Sequence, residues 1–193
     1  MNCHPTCSGR TKMKFSFLNQ FFCGIILSMG QTKKLSSKKE LLEINIGRLL
    51  KKKKKTLALA ESCTGGLVSH WLTNVSGASA YFLGSVISYS NNAKESLLGV
   101  PKENIKKYGA VSRETALRMA KGAKTVFGAD IAAAVSGIAG PGGGTKEKPV
   151  GIAFIAVVSG ERVKTRKIIC KGSRKSIKTQ FADAVLMMIL EVG

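Results

Sequence analysis

The feature that most constrains the fold is the switching, from Thr56 onward, between short apolar runs and segments of helical period. Thr56–Ala60, Phe82–Tyr89 and Asp130–Ser136 are apolar runs of strand length. Gly65–Asn74 reads as a helix, with Leu67, Val68, Trp71 and Leu72 apolar. Ala93–Leu98 is a short helix stopped by Gly99. Ser112 caps a helix to Phe127, with Ala116, Met119, Ala120, Ala123 and Val126 inward and Gly128 as its stop. Val150–Val158 and Arg162–Cys170 are strands joined at Ser159-Gly160, a hairpin signal. Ser173 caps the last helix, with Ile177, Phe181, Val185 and Met188 on one face. This alternation predicts an α/β fold with helices on both sides of a sheet. The late hairpin makes that sheet mixed.

A further helix is predicted over residues 36–55. Ser37-Lys-Lys-Glu40 is a capping box, Leu42, Ile46 and Leu49 share a face, and Lys51–Lys55 sit where cations suit the helix dipole. With 193 residues the chain is expected to hold one domain, residues 36–193, behind an N-terminal extension of residues 1–35 that lacks periodicity. Phe15–Leu27, interrupted by Asn19 and Gln20, falls short of the ~18 apolar residues of a membrane span. Arg10, Lys12 and Lys14 before it mimic the start of a signal peptide, but no A-x-A cleavage pattern follows. A start at Met29, or a disordered extension, accounts for the segment better than a working signal, and the expected location is cytoplasmic, with no membrane partner.

Charge is the outlying property: 31 Lys and Arg against 11 Asp and Glu, a net +20. Thirteen of the basic residues and two of the acidic ones lie in residues 1–60. Such a surface attracts phosphates, nucleic acids or anionic membranes. Five cysteines, at 3, 7, 23, 63 and 170, are odd in number and scattered, which argues against a disulfide framework. Cys3, His4 and Cys7 have no second pair to complete a zinc site. No metal and no cofactor are expected.

Three segments at strand exits could carry chemistry, as expected of open α/β sheets. Glu61-Ser62-Cys63-Thr64-Gly65-Gly66 joins a strand to a helix, so a hydroxyl there faces free N–H groups able to hold an oxyanion or a phosphate; a plain helix cap is the alternative. Tyr89-Ser-Asn-Asn-Ala-Lys94 comes after the next strand. Asn91 or Asn92 can cap the following helix, and Lys94 can act as a base if burial or a positive field lowers its pKa by a few units from ~10.4. Ser136-Gly-Ile-Ala-Gly-Pro-Gly-Gly-Gly-Thr145 opens a glycine-rich connection that fits no Walker pattern and is long for a plain loop.

Together A-E-S-C-T-G-G, Y-S-N-x-A-K, G-A-V-S and S-G-I-A-G-P-x-G-G-T followed by K-P-V-G resemble the CinA C-terminal domain family, also known as PncC-type nicotinamide-nucleotide amidases. The resemblance spans about Leu41 to Leu190 and is to the stand-alone form. It implies a three-layer α/β/α sandwich, frequent homo-oligomers, and hydrolysis of the carboxamide of nicotinamide mononucleotide to nicotinate mononucleotide and ammonia. Carried over by motif, Ser62 is the nucleophile and Lys94 its base, with Tyr89 in support. Glu61, Thr64, Gly65, Gly66, Ser136, Gly137 and Gly140 would surround the substrate. Where relatives carry an arginine in the last helix, Arg174 or Lys178 would meet its phosphate.

Two other readings compete. One is an inactive or competence- and DNA-damage-related binding protein of the same fold. Nucleic acid binding draws on the charge, but aromatics are 6% and none interleave the lysine run, so nucleic acid is not the expected partner. The other is a thiol enzyme using Cys63, activated at a helix N-terminus, with Lys94 or His70 as base. His70, beside Trp71 on a helix, is read as structural.

Overall fold

The computed structural model describes residues 42–193. The N-terminal extension, the Cys3-His4-Cys7 group, Met29 and the Ser37 capping box lie outside them. The elements in chain order are α1 (42–53), β1 (Leu57–Glu61), α2 (Leu67–Thr73), a 3-10 turn (Ala78–Ala80), β2 (Phe82–Ile87) and α3 (Asn91–Leu98). Then come α4 (Lys102–Tyr108), α5 (Arg113–Phe127), β3 (Ile131–Gly137), β4 (Ile152–Ser159), β5 (Arg162–Ile169) and α6 (Arg174–Val192).

The sheet order is β2-β1-β3-β4-β5. β1 runs parallel to both neighbours, and β4 and β5 are antiparallel to theirs, so the sheet is mixed as the hairpin signal requires. β1 is buried along its whole length because it has a strand on each side and helices on both faces.

Strand periodicity sorts the core in two. Leu57, Leu59, Ile131, Val135, Ile155 and Val157 face one side and pack with Ile46 and Leu50 of α1, Val68, Trp71 and Leu72 of α2, and Phe181, Val185 and Met188 of α6. Ala58, Ala60, Ala132, Ala134 and Ala156 face the other side and are fully or almost fully buried. There α5 brings Ala116, Met119, Ala120 and Ala123 down on a nearly all-alanine surface. Small residues on both partners let helix and sheet approach closely. The result is a three-layer α/β/α sandwich.

The helix caps agree with the sequence. Ser112 accepts from Thr115 N, and Ser173 accepts from Ser176 N. α3 begins two residues earlier than its apolar pattern, because Ser90 rather than either asparagine accepts from Ala93 N. Val126, expected inward, is 54% exposed; it lies in the last turn of α5, beyond the covered alanines. α4 has no side-chain cap and no buried residue, so it leaves no periodic trace in the sequence. The five-lysine run closes α1: Lys53 donates to the Gly193 carbonyl, Lys55 pairs with Asp130 at 3.1 Å, and Lys51 sits 5.7 Å from the Tyr81 ring centre. Among the described residues no helix is long and apolar enough to cross a membrane.

Candidate active site

β1 and β3 both end at the same edge of the sheet, and β2 ends beside them. The segments leaving these three strands are therefore gathered at one place. Ser62 continues β1 and donates its N–H to Val135 O of β3 at 3.1 Å. Ser88 continues β2 and donates its N–H to Glu61 O at 2.8 Å. Ser136 and Gly137 close β3. A cavity of about 260 Å³ opens there, lined among others by Ser62, Tyr89, Lys94, Ser136, Gly137 and Arg174.

Lys94 is the unusual residue. It is 2% exposed, and its Nζ lies 3.3 Å from Ser62 Oγ. The same nitrogen donates to Ser88 O at 2.8 Å and to Ser90 O at 3.5 Å. No carboxylate accompanies these contacts. A lysine buried without a counter-charge has its pKa lowered, and burial is the main cause here; the Cys63 thiol pulls weakly the other way.

Glu61 is 1% exposed and turns away from the cavity into the start of α2. Its carboxylate accepts from the backbone N–H of Gly66 at 2.9 Å, Val68 at 3.2 Å and Ser69 at 2.9 Å, and from the hydroxyls of Thr64 and Ser69. It thus fills the N-terminus of α2, where a negative charge is favoured and where a phosphate was expected. Gly65 N donates to Ser62 O at 3.1 Å. Gly66, with φ 91°, takes a backbone conformation that suits glycine, and a Cβ there would meet Ile87 at 3.0 Å. Glu61, Thr64, Gly65 and Gly66 therefore shape the turn that presents Ser62 rather than line the cavity.

The opposite wall comes from the glycine loop and α6. Arg174 donates to Gly140 O and, at 2.9 Å, to the hydroxyl of Tyr89. Tyr89 is 63% exposed and reaches Arg174, not Lys94. Gly140 has φ 75°, and a Cβ there would strike Val150 at 2.5 Å. Lys178 stands over Gly65, 3.4 Å from where a Cβ would be, and does not line the cavity. Ser136 is buried and donates to Ala110 O at 2.7 Å. Asn91, Ala110 and Val111 also line the cavity, a role that the sequence did not give them. A-x-K spacing alone gives no sign of which carbonyls hold the amine.

Cys63 lines the cavity but is a poor nucleophile. Its thiol is pushed up to about 12, chiefly by burial; its own backbone N–H lowers it, Glu61 raises it, and Lys94 and Lys178 lower it. The helix terminus that should have activated it is occupied by Glu61. His70 is exposed and away from the cavity lining. Among the described residues no cluster of three or more His, Cys, Asp or Glu could hold a metal ion.

A family profile for the CinA C-terminal domain matches residues 39–192. The chain belongs to the CinA C-terminal domain family. A CinA-like protein of Cytophaga hutchinsonii is 49% identical over 150 residues, covering 78% of this chain and 36% of the relative. A putative competence-damage inducible protein of Clostridium acetobutylicum is 48% identical over 145 residues, covering 75% and 35%. The chain thus spans about a third of the length of these curated relatives. The crystal structure of a competence/damage inducible protein from Agrobacterium tumefaciens matches with TM-score 0.77 and 38% identity, over 79% of this chain and 94% of that one. A CinA superfamily protein from Escherichia coli matches with TM-score 0.78 and 26% identity, over 80% and 90%.

Proposed function

We propose that this CinA-family chain is a nicotinamide-nucleotide amidase that hydrolyses the carboxamide of nicotinamide mononucleotide through Ser62 and Lys94. The observation that carries the proposal is a lysine 2% exposed, without a carboxylate partner, 3.3 Å from a serine hydroxyl in a cavity. Burial favours the neutral amine. In that form two N–H bonds serve the carbonyls of Ser88 and Ser90, and the lone pair is left for the Ser62 proton. An amide is a weak electrophile, so this activation is needed.

Ser62 Oγ attacks the amide carbon and its proton passes to Lys94. The protonated amine then gives a proton to the departing nitrogen, releasing ammonia and leaving an ester on Ser62. Water attacks the ester, Lys94 takes its proton, and Ser62 is restored with the carboxylate product. Glu61 engages the N–H groups of Gly66, Val68 and Ser69. That of Cys63, next to Ser62 and on the cavity lining, is not among them and is the donor assigned to the oxyanion.

The cavity lies just below the ~300–1,000 Å³ usual for small-molecule sites. It accepts the ring amide, with the ribose phosphate running out past Arg174. Asn91 and Arg174, the first residues of α3 and α6, both border it, so two helix N-termini favour an anion at the rim. Ammonia release from nicotinamide mononucleotide, with free nicotinamide and the deamidated nucleotide as controls, tests the proposal. Release that disappears in Ser62→Ala supports it. No release from wild type, or release unchanged in Ser62→Ala, rejects it.

A further inference from the structure

The polar contacts of the Lys94 amine are all neutral: the Ser62 hydroxyl and the carbonyls of Ser88 and Ser90. A buried charge is ordinarily paired. Yet among the described residues no aspartate or glutamate lines the cavity, whose charged groups are Lys94 and Arg174. Glu61, next to Ser62 in the chain, is engaged by five donors at the start of α2. Glu95, which follows Lys94 on α3, is off the lining. When Lys94 is protonated, two of its N–H bonds serve the two carbonyls and the third is directed at the Ser62 side of the cavity. The chain supplies no anion there, so an anion at that point has to come from a ligand.

We propose that the cavity is also a carboxylate site, in which the deamidated nucleotide sets its carboxylate against Ser62 and protonated Lys94 and so inhibits the enzyme that forms it. Naming this ligand rests on the amidase reading; the carboxylate site itself rests on Lys94 and on a lining without acids. Amide hydrolysis changes the charge of the group that faces Lys94. The carboxamide is neutral and the pyridinium ring behind it is positive, so the substrate brings a net positive end toward the amine. The product brings the same ring with a carboxylate, whose charge cancels it. Protonated Lys94 therefore selects the acid, through a charge-assisted hydrogen bond in a water-poor place. Neutral Lys94 offers a lone pair and loses that preference. One proton thus controls two things: its presence removes the base and retains the product.

Burial lowers the pKa of Lys94 in the free protein, and a carboxylate beside it raises it again. Between those two values the acid binds with uptake of a proton, and its affinity falls as pH rises. The other titratable or charged groups on the lining are Cys63 after β1, Tyr89 after β2 and Arg174 of α6; β3, α5 and the glycine loop contribute none. Cys63, pushed up to about 12, stays a thiol below pH 10, and Arg174 stays charged. Tyr89, Arg174 and the phosphate are common to both nucleotides, so a comparison of acid with amide isolates Lys94.

The test is calorimetric binding of nicotinate mononucleotide and of nicotinamide mononucleotide to the full chain carrying Ser62→Ala, which does not turn the amide over, from about pH 7 to about pH 10. Each titration is run in two buffers of different ionisation enthalpy, which counts protons. The acid is expected to bind about 10- to 100-fold tighter than the amide at the low end, with the ratio falling toward one as pH rises. The acid should take up a proton at intermediate pH and the amide should not. Lys94→Met, of similar length and apolar, should abolish the preference. Equal affinities throughout, a preference that ignores pH, or a preference kept in Lys94→Met each overturn the proposal. If Lys94→Met does not fold, the proton count decides: none taken up with the acid overturns it. Ammonia release without any preference for the acid leaves the amidase reading standing and rejects the carboxylate site. A pH-dependent preference without ammonia release from wild type does the reverse, and failure of both nucleotides to bind rejects both.

Discussion

The floor of the cavity and its rim are built in different ways. On the floor, Ser62, Lys94 and Ser136 are all buried, and each is tied to the backbone of a neighbouring element. On the rim, Tyr89 and Gly142–Gly143 are exposed, and one guanidinium spans Tyr89 and Gly140. The floor thus inherits its geometry from the core, while the rim depends on Arg174 and on loop backbone. Chemistry that needs a fixed distance belongs on the first. Recognition that must admit and release a ligand belongs on the second. Substitutions should separate accordingly: floor changes abolish turnover or stability, and rim changes alter binding.

The largest effect is expected at Ser62. Ser62→Ala should lower kcat by on the order of 10⁴ while leaving substrate affinity in place, because only binding and electrostatics remain. Steady-state ammonia release and equilibrium binding together check this. Activity retained in Ser62→Ala but lost in Cys63→Ala would return the nucleophile to the thiol. Lys94→Arg should be as damaging, since a guanidinium cannot give up its proton near neutral pH and also has to fit where a lysine is buried. A melting curve recorded alongside separates lost chemistry from lost fold.

Next comes Glu61. Its carboxylate accepts from three backbone N–H groups and two hydroxyls at the start of α2. Glu61→Ala leaves those buried donors unpaired and should cost about 3–5 kcal/mol in unfolding free energy by urea titration. Glu61→Gln, which keeps one acceptor oxygen, should cost less. A neutral result for Glu61→Ala would mean that the floor does not rest on this cap.

The pH dependence arises from the same floor. In the proposed mechanism the active form is neutral Lys94, whose pKa is lowered from 10.5 by burial. kcat/KM should therefore rise with pH through that lowered value and level off before 10.5. Stability carries the same sign: the unfolded chain holds the lysine proton up to 10.5 and the folded chain releases it earlier, so stability rises with pH between the two. Above the ordinary thiol value of 9.0 the raised Cys63 opposes this, since only the unfolded thiol ionises there. A rate that falls as pH rises from neutral would remove Lys94 as the base.

The parts of this arrangement that were legible in the sequence are those fixed by local pattern. Short apolar runs marked the strands, Ser112 and Ser173 marked helix starts, and the three motif segments fell at strand exits. α4 was not legible because Ile105 is its one large aliphatic residue and it buries nothing fully. The roles of Glu61 and Lys178 were not legible either. A polar residue beside a glycine turn can face a ligand or its own backbone, and only the path of the chain decides. Glu61 faces the N-terminus of α2, where the helix dipole favours an acid, and Lys178 stands over Gly65. The carbonyls of Ser88 and Ser90 that hold Lys94 carry no side-chain signature at all.

The rim should give the smallest and most selective effects. Arg174 uses one N–H on Gly140 O and another on the Tyr89 hydroxyl, and a guanidinium has five donors, so some remain for a phosphate. Arg174→Ala should raise KM for the nucleotide roughly 10-fold, the loss of about 1.4 kcal/mol of charge-assisted binding, with kcat changed far less. The unphosphorylated nucleoside should lose less, because only rim order and not the charge contact is removed for it. Tyr89→Phe, which deletes one acceptor of Arg174, should cost less than ~10-fold for either substrate. Lys178→Ala, being off the cavity lining, should leave KM unchanged. Equal losses for nucleotide and nucleoside in Arg174→Ala would make this arginine a strap for the glycine loop and not a phosphate ligand. A fall in kcat as large as that of Lys94→Arg would erase the division between floor and rim, because it would place Arg174 in the chemistry itself.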